Sequence, residues 1–226
     1  MKRFIFSAAV LFTALSFTGC DKDKEKPVPT PDGFIINAQV KNGVNFNALV
    51  DEVRAMSYGD EDVFVLAKAP YQNGGFKITL PGKVDEKLLF PMDDDAPEGI
   101  TISDRNVKIC TAESFEAYKN GEHFDDLIQV AINLSTFSMV QRMYMYADRN
   151  VTITGVAQEE EMTMTYDIDF KKGWNAAYIS ISFMTGTMTF TTTPPATLPE
   201  WWFAEDFYNS MPFAPQKSPK MLKKLF

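Results

Sequence analysis

Histidine is almost missing from this chain: His123 is the single copy in 226 residues. Transition-metal sites combine several imidazole, thiolate or carboxylate ligands at fixed spacing, and a serine-hydrolase triad needs an imidazole to carry the proton. Both chemistries would fall on His123, within Gly121-Glu122-His123-Phe124-Asp125-Asp126. No Gly-x-Ser-x-Gly elbow accompanies it, so it reads as an exposed loop residue. Cysteine is scarce too, with Cys20 and Cys110 alone. Cys110, in Val107-Lys108-Ile109-Cys110, reads as a small buried hydrophobe, and the fold must rest on an apolar core. Gly155, Gly173 and Gly186 are isolated and make no phosphate loop. Cations are outnumbered, 22 Lys and Arg against 30 Asp and Glu for a net charge of −8, and are scattered along an acidic chain. That excludes a nucleic-acid surface, because phosphate binding needs concentrated positive charge. No cofactor is expected. After residue 17 no apolar run is long enough to span a bilayer.

What is present begins with a leader. Met1-Lys2-Arg3 is cationic, and Phe4 to Phe17 is an apolar run of 14 residues. As a helix it would be about 21 Å long, short of the ~30 Å hydrocarbon core. Small residues follow, so residues 1–19 read as a signal peptide. Thr18-Gly19-Cys20 resembles the lipobox of bacterial lipoproteins, which implies cleavage before Cys20 and fatty acyl chains on its thiol. The chain left after cleavage has 226 − 19 = 207 residues and, without Lys2 and Arg3, a charge of −10. Residues 20–32 then form a polar tether, Asp21-Lys22-Asp23-Lys24-Glu25-Lys26-Pro27-Val28-Pro29-Thr30-Pro31. Alternating charge and spaced prolines cannot build a core. Charges directly after the cysteine also resemble the surface-export signal of Bacteroides-type lipoproteins, which implies an outer-membrane, surface-exposed location.

The rest alternates with period two far more than with helical spacing. Phe34 to Val40, Val53 to Tyr58, Phe76 to Leu80, Asn106 to Cys110, Leu127 to Ile132, Arg142 to Tyr146, Val151 to Thr154, Met162 to Phe170, Trp174 to Phe183 and Thr187 to Thr191 read as strands. Val63-Phe64-Val65-Leu66-Ala67 is apolar throughout and predicts a central strand covered on both faces. Asn42-Gly43 and Asn73-Gly74-Gly75 are turn signals, since Asn and Gly tolerate positive φ. Thr111 to Tyr118 predicts one or two helical turns. Pro91 to Gly99 is the best internal boundary. These strands predict an all-β fold of sandwich type, with residues 33–92 and 99–213 as two halves or as two small tandem sandwiches of transthyretin- or immunoglobulin-like kind. The aromatic stretch after Pro199 packs back on the sheets, and 214–226 is a basic tail.

Val53 to Leu80 with its Asn73-Gly74-Gly75-Phe76-Lys77-Ile78-Thr79-Leu80-Pro81, Tyr146-Ala147-Asp148-Arg149-Asn150-Val151-Thr152-Ile153-Thr154-Gly155, and Lys171-Lys172-Gly173-Trp174-Asn175 resemble uncharacterised lipoproteins of Bacteroides-type bacteria. The resemblance covers most of the chain after the leader. It implies a surface or periplasmic β protein and carries no activity.

Three groups of residues compete as sites. Asp93, Asp94 and Asp95 offer oxygen ligands for calcium, though without EF-hand spacing, so they read first as a solvated loop. Glu159-Glu160-Glu161 reads as a hairpin tip. Trp201 and Trp202, with Trp174, offer rings for a sugar, although aromatics in a β-sandwich are more often core. Adjacent strand residues point to opposite faces, so one ring of Trp201-Trp202 is expected outside. Thirty acidic residues supply many carboxylate pairs, which by themselves do not diagnose glycoside hydrolysis. Met139, Met143, Met145, Met162 and Met164 lie on strand patterns and read as gap fillers. The sequence therefore favours a membrane-tethered, non-enzymatic binding or structural module at the cell envelope, taking a glycan or an envelope protein. The alternative is a carboxylate-dependent glycoside hydrolase or an accessory polysaccharide-utilisation protein.

Overall fold

The computed structural model describes residues 33–59, 62–92, 96–159 and 162–211. Cys20, Asp93, Asp94, Asp95, Glu160, Glu161 and the basic tail lie outside these described residues. The fold is all-β, as the alternation predicts. The strands are β1 (Phe34–Gln39), β2 (Glu52–Tyr58), β3 (Val63–Gln72), β4 (Gly75–Leu80), β5 (Phe90–Pro91), β6 (Ile100–Ile102), β7 (Lys108–Ala112) and β8 (Ser114–Lys119). They continue with β9 (Glu122–Asn133), β10 (Ser138–Ala147), β11 (Val151–Glu159), β12 (Met162–Phe170), β13 (Gly173–Ser182), β14 (Thr187–Thr191) and β15 (Glu200–Phe203). One short helix, α1 (Ala204–Ser210), follows β15.

Every strand belongs to one hydrogen-bonded sheet, ordered β1-β4-β3-β2-β8-β9-β10-β13-β14-β12-β11-β6, with β15 on β9 and β7 on β10. The 12-residue β9 joins its two parts. Its first half pairs with β8, Phe115 opposite Leu127, and its second half with β10, Gln141 opposite Val130. β8 and β10 diverge from it like the arms of a fork. On the other edge of β9, β15 pairs Trp201 with Gln129 and Phe203 with Leu127. β15 also touches the end of β1, where Lys41 N–H donates to the Trp201 carbonyl at 2.7 Å and Val40 bridges Trp201. The first part of the sheet thus curls round until its last strand meets its first.

Two faces of side chains make the core. The curled part packs sandwich-fashion on β7, β10 and β13, so Ile78, Leu80, Val53, Phe115, Phe203, Tyr144, Tyr146 and Trp174 share one apolar cluster. Trp174 Nε1 ties the layers together by donating to the Pro81 carbonyl at 2.8 Å. The alternate residues of β10 and β13, Met145 and Ala177 among them, face a second cluster with Ile153, Ile168, Phe170 and Phe190. On that same face, α1 lays Phe207 over Val130, Met139 and Ile181. Period two is what lets one strand serve two cores.

Three expectations need correction. Thr111 to Tyr118 is not helical: it is the end of β7 and most of β8. Phe115 and Ala117 are buried while Ser114 and Glu116 are less so, a period-two pattern that long-range pairing with β2 and β9 selects. Val63 to Ala67 is not covered on both faces, with Val63 58% and Val65 45% exposed. β4 pairs with β3 only at Tyr71 and Gln72, so the first half of β3 leans on β2 alone. His123 lies in strand β9 rather than a loop; its side chain is half-exposed and holds Asp126 at 3.0 Å. By contrast Asn73 (φ 54°) and Gly74 (φ 76°) form the tight turn their residue types predict. A Cβ on Gly74 would also crowd the backbone nitrogen of Val44 at 2.8 Å.

Candidate functional site

The fork of β8, β9 and β10 leaves a cleft of about 410 Å³, within the size range of small-ligand sites. Its walls come from the two arms and from α1. Phe115, Leu127, Trp201 and Phe207 supply apolar surface, and Glu113, Asp126, Gln129, Gln141 and Arg142 supply polar groups. Tyr58 and Tyr208 also border it. The cleft is a consequence of pairing: once β8 and β10 separate, no strand fills the space between them.

Arg142 is the anomalous group. It stands on β10 directly opposite Tyr178 of β13, and its guanidinium lies 5.4 Å from the Tyr178 ring centre and 5.8 Å from that of Tyr144. Its Nε is buried and has no hydrogen-bond partner. No ion pair to Arg142 exists among the described residues, although Glu113 and Asp126 border the same cleft. Buried polar atoms are normally satisfied, so an orphan on a cation calls for an explanation. The fully buried Tyr178 hydroxyl beside it is also without a partner.

Several neighbouring polar groups are engaged. Tyr144 donates to Gln129 Oε1 at 2.9 Å, and Gln129 Nε2 donates to the Pro199 carbonyl at 3.2 Å. That chain locks Gln129 in place and fixes the β14–β15 connection over the cleft wall. Burial pushes the Tyr144 hydroxyl up to about 12, with nearby Arg142 pulling the other way. Glu113 accepts from the Tyr58 N–H at 3.3 Å. Burial raises the proton affinity of its carboxyl, and that hydrogen bond only partly offsets the rise. Burial also raises the Tyr58 hydroxyl to about 12. Just outside, Tyr58, Ser114 and Tyr118 all donate to the Glu116 carboxylate. Burial alone would raise Glu116, but the three donors outweigh it and hold its carboxyl below the usual range.

The residues singled out in the sequence land unevenly. Trp201 is buried and forms the back of the cleft, edge-on to Phe76 and Phe115 at 5.2 and 5.1 Å. Trp202, on the opposite face, is half-buried against Phe207, with the Lys41 ammonium 5.8 Å from its ring. Trp174 is buried between the layers. Cys110 is buried 3.6 Å from the Ser57 hydroxyl, and burial pushes its thiol up to about 11. Among the described residues no cluster of three or more His, Cys, Asp or Glu is arranged to hold a metal. Sequence reading missed Arg142 and Glu113. The one available signal was an arginine inside an apolar strand pattern, Met139-Val140-Gln141-Arg142-Met143-Tyr144.

Neither a protein-family model, nor a curated protein, nor a solved structure matches this chain significantly. Among the described residues no helix is long and apolar enough to cross a membrane.

Proposed function

We propose that this chain is a lipid-anchored binding module of the bacterial cell envelope, held by acyl chains on Cys20, and that it takes its ligand in the cleft at the β8–β9–β10 fork. The observation that carries this reading is the cleft of about 410 Å³ itself, which sets Glu113, Asp126, Gln141 and Arg142 against an apolar wall. Apolar walls with a few convergent polar groups are the usual make-up of a ligand site. The leader and the charged, proline-spaced stretch before Gly33 support the tethered location, as does the resemblance to Bacteroides-type lipoproteins. Several buried acyl chains, at about 0.8 kcal/mol per methylene, make such an anchor stable.

A second reading is favoured by one observation. Glu113 and Asp126 border a cleft backed by Trp201, and burial favours the protonated form of Glu113, as a general acid requires. On that reading the chain hydrolyses a glycan, with Glu113 as acid and Asp126 as the second carboxylate. The binding reading is preferred because Asp126 is already committed to His123. Moreover, Glu113 accepts a backbone hydrogen bond that positions it as wall rather than as a free acid.

Two experiments decide. Cys20→Ala should move the protein from the membrane to the soluble fraction; unchanged fractionation contradicts lipid anchoring. Incubation of the full chain with envelope and dietary polysaccharides should release no reducing ends. Turnover that is abolished by Glu113→Gln and by Asp126→Asn would establish the hydrolase instead.

A further inference from the structure

Charge is unevenly spread along this chain. Although 23% of its residues are charged, residues 127–141 and 173–199 hold none, runs of 15 and 27 residues. The fold brings the two runs together at one end of the sheet. Ser138 of β10 pairs with Ser182 of β13, and the Phe183 N–H donates to the Phe137 carbonyl at 3.1 Å. The β9–β10 and β13–β14 turns therefore project side by side. Leu134 and Phe137 on one turn, with Phe183 and Met184 on the other, are exposed, Met184 most of all at 72%. Phe137 and Phe183 meet edge to face at 5.6 Å. Phe137 also holds a left-handed backbone (φ 47°), whereas Asn42, Asn73 and Asn120, the other non-glycine residues with positive φ among those described, are of a type that tolerates it.

The polar groups of these turns are already paired with one another. Asn133 Oδ1 accepts from the Ser135 and Thr136 N–H groups and from the Ser135 hydroxyl. The hydroxyls of Thr136 and Ser138, and those of Thr185 and Thr187, bond at 2.8 Å. Such a surface leaves water at little polar cost and suits a neighbour that offers apolar contact without hydrogen bonds. A protein partner generally brings about one hydrogen bond per 100–200 Å², whereas the acyl edge of a bilayer brings none and disfavours charge. Resting on the lipid-anchored reading above, we infer that the two turns enter the headgroup layer of a bilayer and fix which side of the protein faces it. Chain length permits this. Phe34, at the start of β1, meets the Tyr144 ring at 5.9 Å, and Phe137 lies seven residues from Tyr144, roughly 23 Å at 3.3 Å per residue. The 13 residues from Cys20 to Asp32 reach at most about 43 Å, so the acylated residue and the two turns can meet one membrane plane. β12 begins beside the tip, where the Thr163 N–H donates to the Gly186 carbonyl at 2.9 Å, and Glu159-Glu160-Glu161 precedes it in sequence. Like charges repel, so that acidic run selects headgroups without net negative charge.

The test places the full lipidated chain in phosphatidylcholine vesicles. Met184→Cys carries a fluorescent thiol label at the tip. Lys172→Cys carries it at the other end of the 10-residue β13, as the reference, and buried Cys110 does not compete for it. Flotation with the vesicles checks the anchor. The expected result is that a nitroxide high on the lipid acyl chain quenches the Met184→Cys label at least about threefold more than the Lys172→Cys label, as shallow interfacial burial requires. Leu134→Asp together with Phe137→Asp should bring the Met184→Cys label down to the reference level while flotation persists. Aspartate tolerates the left-handed backbone that Phe137 holds, and circular dichroism checks the fold. If that variant does not fold, the two labels in the otherwise native chain still decide. Equal quenching at the two sites, or quenching that survives the paired aspartates, overturns the inference, leaves the anchor standing and returns the tips to a protein partner. A chain that does not float with the vesicles overturns both the inference and the anchored reading.

Discussion

Glu113 and Glu116 sit three residues apart and are driven in opposite directions by their surroundings. Burial dominates at Glu113 and raises its proton affinity, whereas hydroxyl donors dominate at Glu116 and lower it. The consequences for stability have opposite sign. A carboxyl whose folded pKa is raised costs stability once pH rises through the unfolded value, near 4.3, toward the folded one. Glu113→Gln should therefore raise the melting temperature at pH 7 and change little at pH 3. A carboxyl whose folded pKa is lowered contributes stability above the unfolded value that disappears as pH falls through the folded one. Glu116→Gln should lower the melting temperature at pH 7, with the difference shrinking as pH falls below about 4. Melting curves of the two variants against pH check both, and parallel behaviour of the pair would contradict the assignment. Neither direction is legible from sequence, because Ser114-Phe115-Glu116 says only that Glu116 points away from Phe115. Ser114 and Tyr118 are its same-face neighbours on β8, but the third donor, Tyr58, comes from β2, 58 residues earlier.

At the scale of elements, β15 and α1 contribute far more than their length suggests. Phe203 is fully buried, its ring tilted against Phe46 at 4.0 Å and Tyr71 at 5.7 Å. Trp201 meets Phe76, Phe115 and Tyr144. Both residues point into the curled part of the sheet, and β15 supplies the strand that meets β1. Phe203→Ala should cost about 3–5 kcal/mol, the usual penalty for removing a buried ring. Denaturant unfolding measures it, and a loss under about 1 kcal/mol would mean that the site repacks or that Phe203 is not core. Truncation after Pro199 should be worse than any single change. It removes both rings, frees the edge of β9 and uncovers Val130 and Met139 beneath Phe207. An unpaired apolar edge invites aggregation, so size-exclusion chromatography should show loss of the full-length chain's peak to the void volume. The sequence located this aromatic stretch and predicted that it packs back, but it could not say that the strand joins β9 to β1. That depends on pairing between positions more than 150 residues apart, and local pattern carries no information about it.

For the whole molecule, the shared strand β9 is decisive. Residues 33–92 and 99–211 contribute to one hydrogen-bonded sheet, and the largest apolar cluster draws on both. Cooperative unfolding in a single step is the expected outcome, because neither part keeps a complete core without the other. Differential scanning calorimetry should give one transition with calorimetric and van't Hoff enthalpies in agreement; two resolved transitions would show independent units. Removing the segment before Asp32 should leave that transition nearly unchanged, since its alternating charges and spaced prolines offer little to bury. A large drop in melting temperature would mean that the tether is part of the fold.

The amino-acid order alone determined the all-β class, the turn at Asn73-Gly74 and the ends of the strands from Met162 to Phe170 and Thr187 to Thr191. These follow from side-chain alternation and from backbone preferences, which act between neighbours in the chain. Tertiary structure alone decided that Val63 and Val65 face solvent, that Thr111 to Tyr118 is extended, and that β8 and β10 part company on β9. The same pairing left Arg142 lining the cleft with its Nε unsatisfied. Burial and hydrogen-bond satisfaction are properties of which distant strands meet, and a repeating pattern of period two is compatible with many such meetings.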